Sequence, residues 1–97
     1  MYMKIHRTPD GGDVVAICDR ELLNTTIRHE EMEIFISDKF YGSVPVTEEE
    51  VRSALQKADN VNLMGKRSVG LAIQMGLVCE NGCIYLGSIP HAQIFRL

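Results

Sequence analysis

Three groups of residues in this chain have types and spacings suited to chemistry. The first is Gly65-Lys66-Arg67-Ser68, two cations directly after a glycine. Where such a group opens a helix, the orphan N–H groups of the first turn and the two side-chain charges can together hold a phosphate. A Walker-type phosphate loop would need a glycine five residues before Gly65, and that position holds Asn60. What remains is a looser anion contact through Gly65, Lys66 and Arg67, set against the plainer reading of a solvated basic strip on a buried helix. Gly70 lies in the same strip, and a helix-interior glycine costs about 1 kcal/mol against alanine, so close approach by some other group would account for it. The second group is Gly87-Ser-Ile-Pro-His-Ala-Gln93. His91 and Gln93 are two apart, so an extended backbone turns them to one side, and both side chains can donate and accept hydrogen bonds. That suits recognition or proton transfer; the plainer reading is a histidine tied to a backbone carbonyl. No serine, cysteine or carboxylate stands at a spacing that makes a triad legible, so no catalytic residue is assigned.

The third group is Cys79 and Cys83, which bracket Glu80-Asn81-Gly82 and invite a metal reading with His91 or His6. A two-residue Asn-Gly turn would point the two thiols to opposite faces, whereas a three-residue loop would pair them. There is no second Cys-x-x-Cys, and Cys18 is embedded in an apolar run. Thiols without a metal are the default, and no metal or cofactor is expected.

The elements that must position these groups follow from pattern. Asn62 to Gly76, placed on a helix, is apolar nearly all round apart from a strip of Lys66, Arg67, Gly70 and Gln74. This predicts a buried central helix with Asn62 as its N-cap and Gly76 as its terminator. Just before it, Thr47 and Glu50 have capping-box spacing, Val46 and Val51 that of a hydrophobic staple, and Val51, Ala54, Leu55 and Ala58 form one apolar stripe. A second helix is predicted there, ending at Asp59-Asn60 and turning a tight corner into the central one. Strands are predicted at Met1–Arg7, which alternates, and at Val14–Cys18, a continuous β-branched run suited to a sheet centre. Met32–Ile36 is a further strand, with Thr26–His29 as its partner. Asn81-Gly82 predicts a hairpin between Leu77–Glu80 and Cys83–Leu86, and Ala92–Leu97 is an edge strand or tail.

Composition narrows the class. The 97 residues form one domain, 1–97, with 45% hydrophobic and 24% charged residues, as in ordinary soluble proteins. No apolar run approaches a membrane span and no secretory signal is visible, so a cytoplasmic protein without membrane contact is expected. The odd count of three cysteines fits a reducing compartment. A net charge of −3 argues against a strong non-specific nucleic-acid binder. Only residues 60–97 are locally basic, carrying Lys66, Arg67 and Arg96 against Glu80.

Three segments resemble the archaeal domain of unknown function 424 family. They are the N-terminal strand with Val14-Val-Ala-Ile-Cys-Asp19, the run Asn62-Leu-x-Gly through Ala72-Ile-x-x-Gly-Leu77, and Gly87-x-x-Pro-His-Ala-Gln93. The resemblance implies a stand-alone archaeal cytosolic protein with a link to RNA or translation, and supplies no catalytic residues. Cys79 and Cys83 lie outside its pattern.

The expectation is an α+β fold, a mostly antiparallel sheet with two helices packed on one face. The leading functional expectation is an accessory module that binds RNA or a ribonucleoprotein through Asn62, Gly65, Lys66, Arg67, His91 and Gln93. The alternatives are a small enzyme on a phosphorylated metabolite with His91 as acid/base, and a structural subunit, for which a homo-oligomer is one form.

Overall fold

The helix start at Thr47 is built as its spacing predicts. In the computed structural model, which describes residues 1–96, the Thr47 hydroxyl accepts from the Glu50 N–H at 3.1 Å, and the Glu50 carboxylate accepts from the Thr47 N–H at 3.0 Å. The helix they open, α2 (Glu48–Lys57), buries Val51 and Leu55. It is followed not by a second helix but by a strand.

In chain order the elements begin with β1 (Tyr2–His6), β2 (Val14–Cys18), a hairpin of β3 (Thr26–His29) and β4 (Met32–Phe35), and a one-turn α1 (Asp38–Tyr41). After α2 come β5 (Asn60–Met64), α3 (Lys66–Gln74), β6 (Ile84–Leu86) and β7 (Ile89–Phe95), with 3-10 turns at Arg20–Leu22 and Glu80–Gly82. The main sheet has the order β1-β2-β5-β7-β6. β2 and β5 run parallel and the other neighbours antiparallel. Helices α2 and α3 cover one face, where Val51, Leu55, Val69, Leu71 and Ala72 pack on Val15, Ile17, Val61, Leu63, Ala92 and Ile94. The β3–β4 hairpin and α1 cover part of the other, with Ile27, Ile36 and Tyr41 on Ala16, Cys18 and Met64. The fold is thus α+β, mostly antiparallel, with two helices on one face.

The expected helix from Asn62 to Gly76 is corrected at its first half. Val61 and Leu63 are buried on the helix side, while Asn62 and Met64 turn to the other. That is strand periodicity, and Asn62 is a mid-strand residue rather than an N-cap. The break is Gly65, at φ 115°, and α3 starts only at Lys66. The tight helix–helix corner therefore does not exist: β5 fills that place as a central strand between β2 and β7. The expected Asn81-Gly82 hairpin is replaced by the 3-10 turn at Glu80–Gly82, and β6 pairs with β7 through a turn at Gly87-Ser88. The last strand, predicted from Ala92, begins at Ile89, and Leu97 lies outside the described residues.

Candidate functional site

The parallel pairing of β2 and β5 sets Cys18 opposite Met64, so the residue after β2 comes to rest beside the residue after β5. These are Asp19 and Gly65. Asp19 is 2% exposed, and its carboxylate takes the start of α3. Oδ2 accepts from the Arg67 N–H at 2.9 Å, and Oδ1 accepts from the Ser68 N–H at 2.8 Å and the Ser68 hydroxyl at 2.7 Å. A Cβ on Gly65 would stand 2.5 and 2.6 Å from the two carboxylate oxygens, so only glycine fits against this plug. The two first-turn amides expected to hold an anion are thus occupied by the protein's own carboxylate. An anion at this end of α3 would depend on the side chains of Lys66 and Arg67.

Both cations are exposed. With Glu48, Gly70 and Gln74 they line a cleft of about 600 Å³ between α2 and α3, on the helix side of the sheet. Asn62, His91 and Gln93 lie elsewhere. Directly paired residues of antiparallel strands share a face, and β5 and β7 set Asn60 opposite Phe95, Asn62 opposite Gln93, and Met64 opposite His91. Met64 packs with the hairpin, so this whole row faces the hairpin side. The structure brings Asn62, Gln93 and His91 together and places Lys66 and Arg67 on the opposite layer.

On that face the hairpin covers only part of the sheet. The open part carries Asn60, Asn62, Gln93 and Phe95, the last 69% exposed. The Tyr41 hydroxyl donates to the Asn62 side-chain oxygen at 2.7 Å, which leaves the Asn62 amide nitrogen as a hydrogen-bond donor. Tyr41 meets Phe40 edge to face at 4.9 Å, and Phe40 stacks on His6, also at 4.9 Å. Aromatic rings therefore border the amide row. Burial raises the Tyr41 hydroxyl well above the ordinary tyrosine range, with Cys18 adding to it, so it stays a donor at any ordinary pH. A His91 ring nitrogen, Nδ1, lies 2.8 Å from the Leu63 carbonyl oxygen, and the imidazole is half-buried. Lys4 is in register with Ala16 and hence with Asn62, which puts a cation on this face.

Cys83 donates to the Cys79 carbonyl across the Glu80–Gly82 turn, and no three His, Cys, Asp or Glu side chains converge among the described residues. No helix there is long and apolar enough to cross a membrane.

A sequence profile of a family described as a protein of unknown function, DUF424, matches residues 6–97. The chain belongs to the DUF424 family. Its fold is similar to the crystal structure of an uncharacterized conserved protein from Methanopyrus kandleri, with 27% identity and a TM-score of 0.80 over 99% of this chain and 90% of that one. A comparison with curated proteins gives no match. Against that background, the residues that sequence reasoning missed are Asp19, Asn60, Tyr41 and Phe95. Phe95 extends the two-residue spacing of His91 and Gln93, a signal present once the strand is placed. Asp19 and Tyr41 join the site across long stretches of chain and leave no local trace.

Proposed function

We propose that this DUF424 protein is an accessory module that binds RNA or a ribonucleoprotein through the open part of its sheet. The observation that carries the reading is Phe95, an exposed aromatic ring in the rung next to the Asn62–Gln93 amide pair. Unstacked RNA bases are bound in this way, stacked on an aromatic face with their edges hydrogen-bonded by polar side chains. Phe95 supplies the stacking face, and Asn60, Asn62 and Gln93 supply donors and acceptors that tolerate a neutral base. His91 borders the row. The sparse positive charge, Lys4 with Lys39 nearby, suits a partner recognised by its bases more than by its phosphates. A cytoplasmic location and a role linked to translation belong to this reading.

The test is fluorescence anisotropy with host transfer and ribosomal RNA across a salt series. Base stacking is worth about 1–3 kcal/mol, so Phe95→Ala should weaken saturable binding by roughly 5- to 150-fold. Equal affinity of Phe95→Ala and the parent chain would remove the sheet as the contact surface. The salt slope should correspond to about two charges.

A second reading, a structural subunit, is favoured by apolar side chains on the short edge strand β6. Ile84 and Tyr85 are 63% and 48% exposed there. Light scattering at rising concentration tests the homo-oligomeric form. The enzyme reading has no shared site to support it, because His91 and the Lys66–Arg67 pair stand on opposite layers.

A further inference from the structure

Helix α3 has a glycine at its centre that packing does not use. A Cβ built on Gly70 meets nothing within 4 Å, and its backbone has no positive φ, so alanine fits there without strain. An interior glycine weakens a helix relative to alanine. Gly70 forms part of the wall of the α2–α3 cleft, between Lys66 one turn before it and Gln74 one turn after it. Neither Lys66 nor Arg67 has a carboxylate within ion-pair distance among the described residues. The acid in the cleft, Glu48, is 3.6 Å from Arg52. Arg52 also donates to the Gln74 side-chain oxygen at 2.9 Å. A guanidinium can only donate, which identifies that atom as oxygen and leaves the Gln74 amide nitrogen as a donor.

We propose that this cleft binds a phosphoryl group. Lys66 and Arg67 supply the countercharge, Gln74 donates a hydrogen bond, and Gly70 keeps the helix surface low enough for the group to approach the backbone. Because Asp19 holds the first-turn amides, the anion is bound by side chains along the helix rather than by the helix end. The cleft has room beyond a single phosphate, so it can take a phosphoryl group carried by a larger molecule. Its source is either a free mononucleotide or the 5′-phosphate end of a nucleic acid. This site is separate from the sheet surface and does not depend on it.

The experiment is an amide-resolved NMR titration of the full chain with inorganic pyrophosphate, adenosine 5′-monophosphate, and one short oligoribonucleotide with and without its 5′-phosphate. Saturable shifts confined to α3 and the start of α2 are expected. Lys66→Ala and Arg67→Ala should each weaken pyrophosphate by about 5-fold. Gly70→Ala should melt at a higher temperature than the parent yet bind more weakly, a combination that a purely structural glycine does not give. Binding at the α3 amides that is tighter for the 5′-phosphorylated oligonucleotide than for both its unphosphorylated form and the mononucleotide assigns the group to a nucleic-acid end, and tighter binding there of the mononucleotide assigns it to a small molecule. The absence of saturable shifts with every phosphorylated probe, or unchanged affinity in all three variants, overturns the proposal. Phe95→Ala should leave these shifts intact, so failure of the sheet surface and failure of the cleft read out separately.

Discussion

Removing the Asp19 carboxylate should destabilise the protein by about 3–5 kcal/mol. The carboxylate accepts three hydrogen bonds, two of them from Ser68, which is fully buried. In Asp19→Ala the buried Ser68 N–H and hydroxyl lose their partner at about 1–2 kcal/mol each, and the loss of a helix cap adds about 1 kcal/mol. The Arg67 N–H, nearer the surface, can turn to water. Asp19→Asn keeps the shape and one acceptor oxygen but turns an NH2 toward an N–H, so about half of the loss is expected. Urea unfolding followed by circular dichroism measures both, since the chain has no tryptophan. With a slope of about 1–1.5 kcal/mol per molar, Asp19→Ala should lower the midpoint by roughly 2–5 M, a large part of what a small domain has. Ser68→Ala adds a control. It should cost about 1 kcal/mol in the parent and recover about 1 kcal/mol beside Asp19→Ala, because it then removes a buried hydroxyl that has no acceptor. A loss below about 1 kcal/mol for Asp19→Ala, or additive losses in the double variant, would refute the account of Asp19 as the plug of α3.

Gly65→Ala should cost about 2–4 kcal/mol by urea unfolding, since it adds a methyl group against the Asp19 carboxylate at a φ of 115°; the combination with Asp19→Ala should be less than additive. Burial, with the Asp19 carboxylate adding to it, pushes the Cys18 thiol up to about 12, and the Tyr41 hydroxyl is raised as well. The unfolded chain releases these protons first as pH rises, so it binds fewer than the native state. Stability should be complete below about pH 9 and fall from there toward pH 12. Midpoints at pH 8, 9.5 and 11 check this, with a shallower fall in Cys18→Ala, and a flat or rising profile contradicts it. At pH 8 the exposed Cys79 and the half-buried Cys83 should react with a thiol reagent in the native protein, and Cys18 only on unfolding.

The parts of the fold legible in the sequence are those set by neighbours in the chain. The Thr47–Glu50 capping box and the Val51–Leu55 stripe operate within one or two turns, and they appear where the spacing places them. The Val14–Cys18 run is β-branched and apolar, and it became a strand covered on both faces. The stretch from Asn62 to Gly76 misled because a run apolar on nearly all sides can be read as one continuous helical period when Gly65 is taken as ordinary. Its φ of 115°, together with the buried neighbour behind it, breaks that period into a strand and a helix.

Of the candidate site, the two-residue spacing of His91 and Gln93 was readable, because strand alternation is local. Its continuation to Phe95 and its pairing with Asn60 and Asn62 depend on β7 lying antiparallel to β5, about thirty residues away in the chain. The separation of Lys66 and Arg67 from that row, and the closing of the α3 amides by Asp19, depend on β2 running parallel to β5 across a long crossover. The sequence by itself determined the Thr47 helix cap, the apolar stripe of α2, the absence of a Walker loop and the basic strip on α3. Only the tertiary structure decided which polar residues share a surface, because strand register is set by backbone hydrogen bonds between distant segments, and shifting it by one residue turns every side chain to the other face.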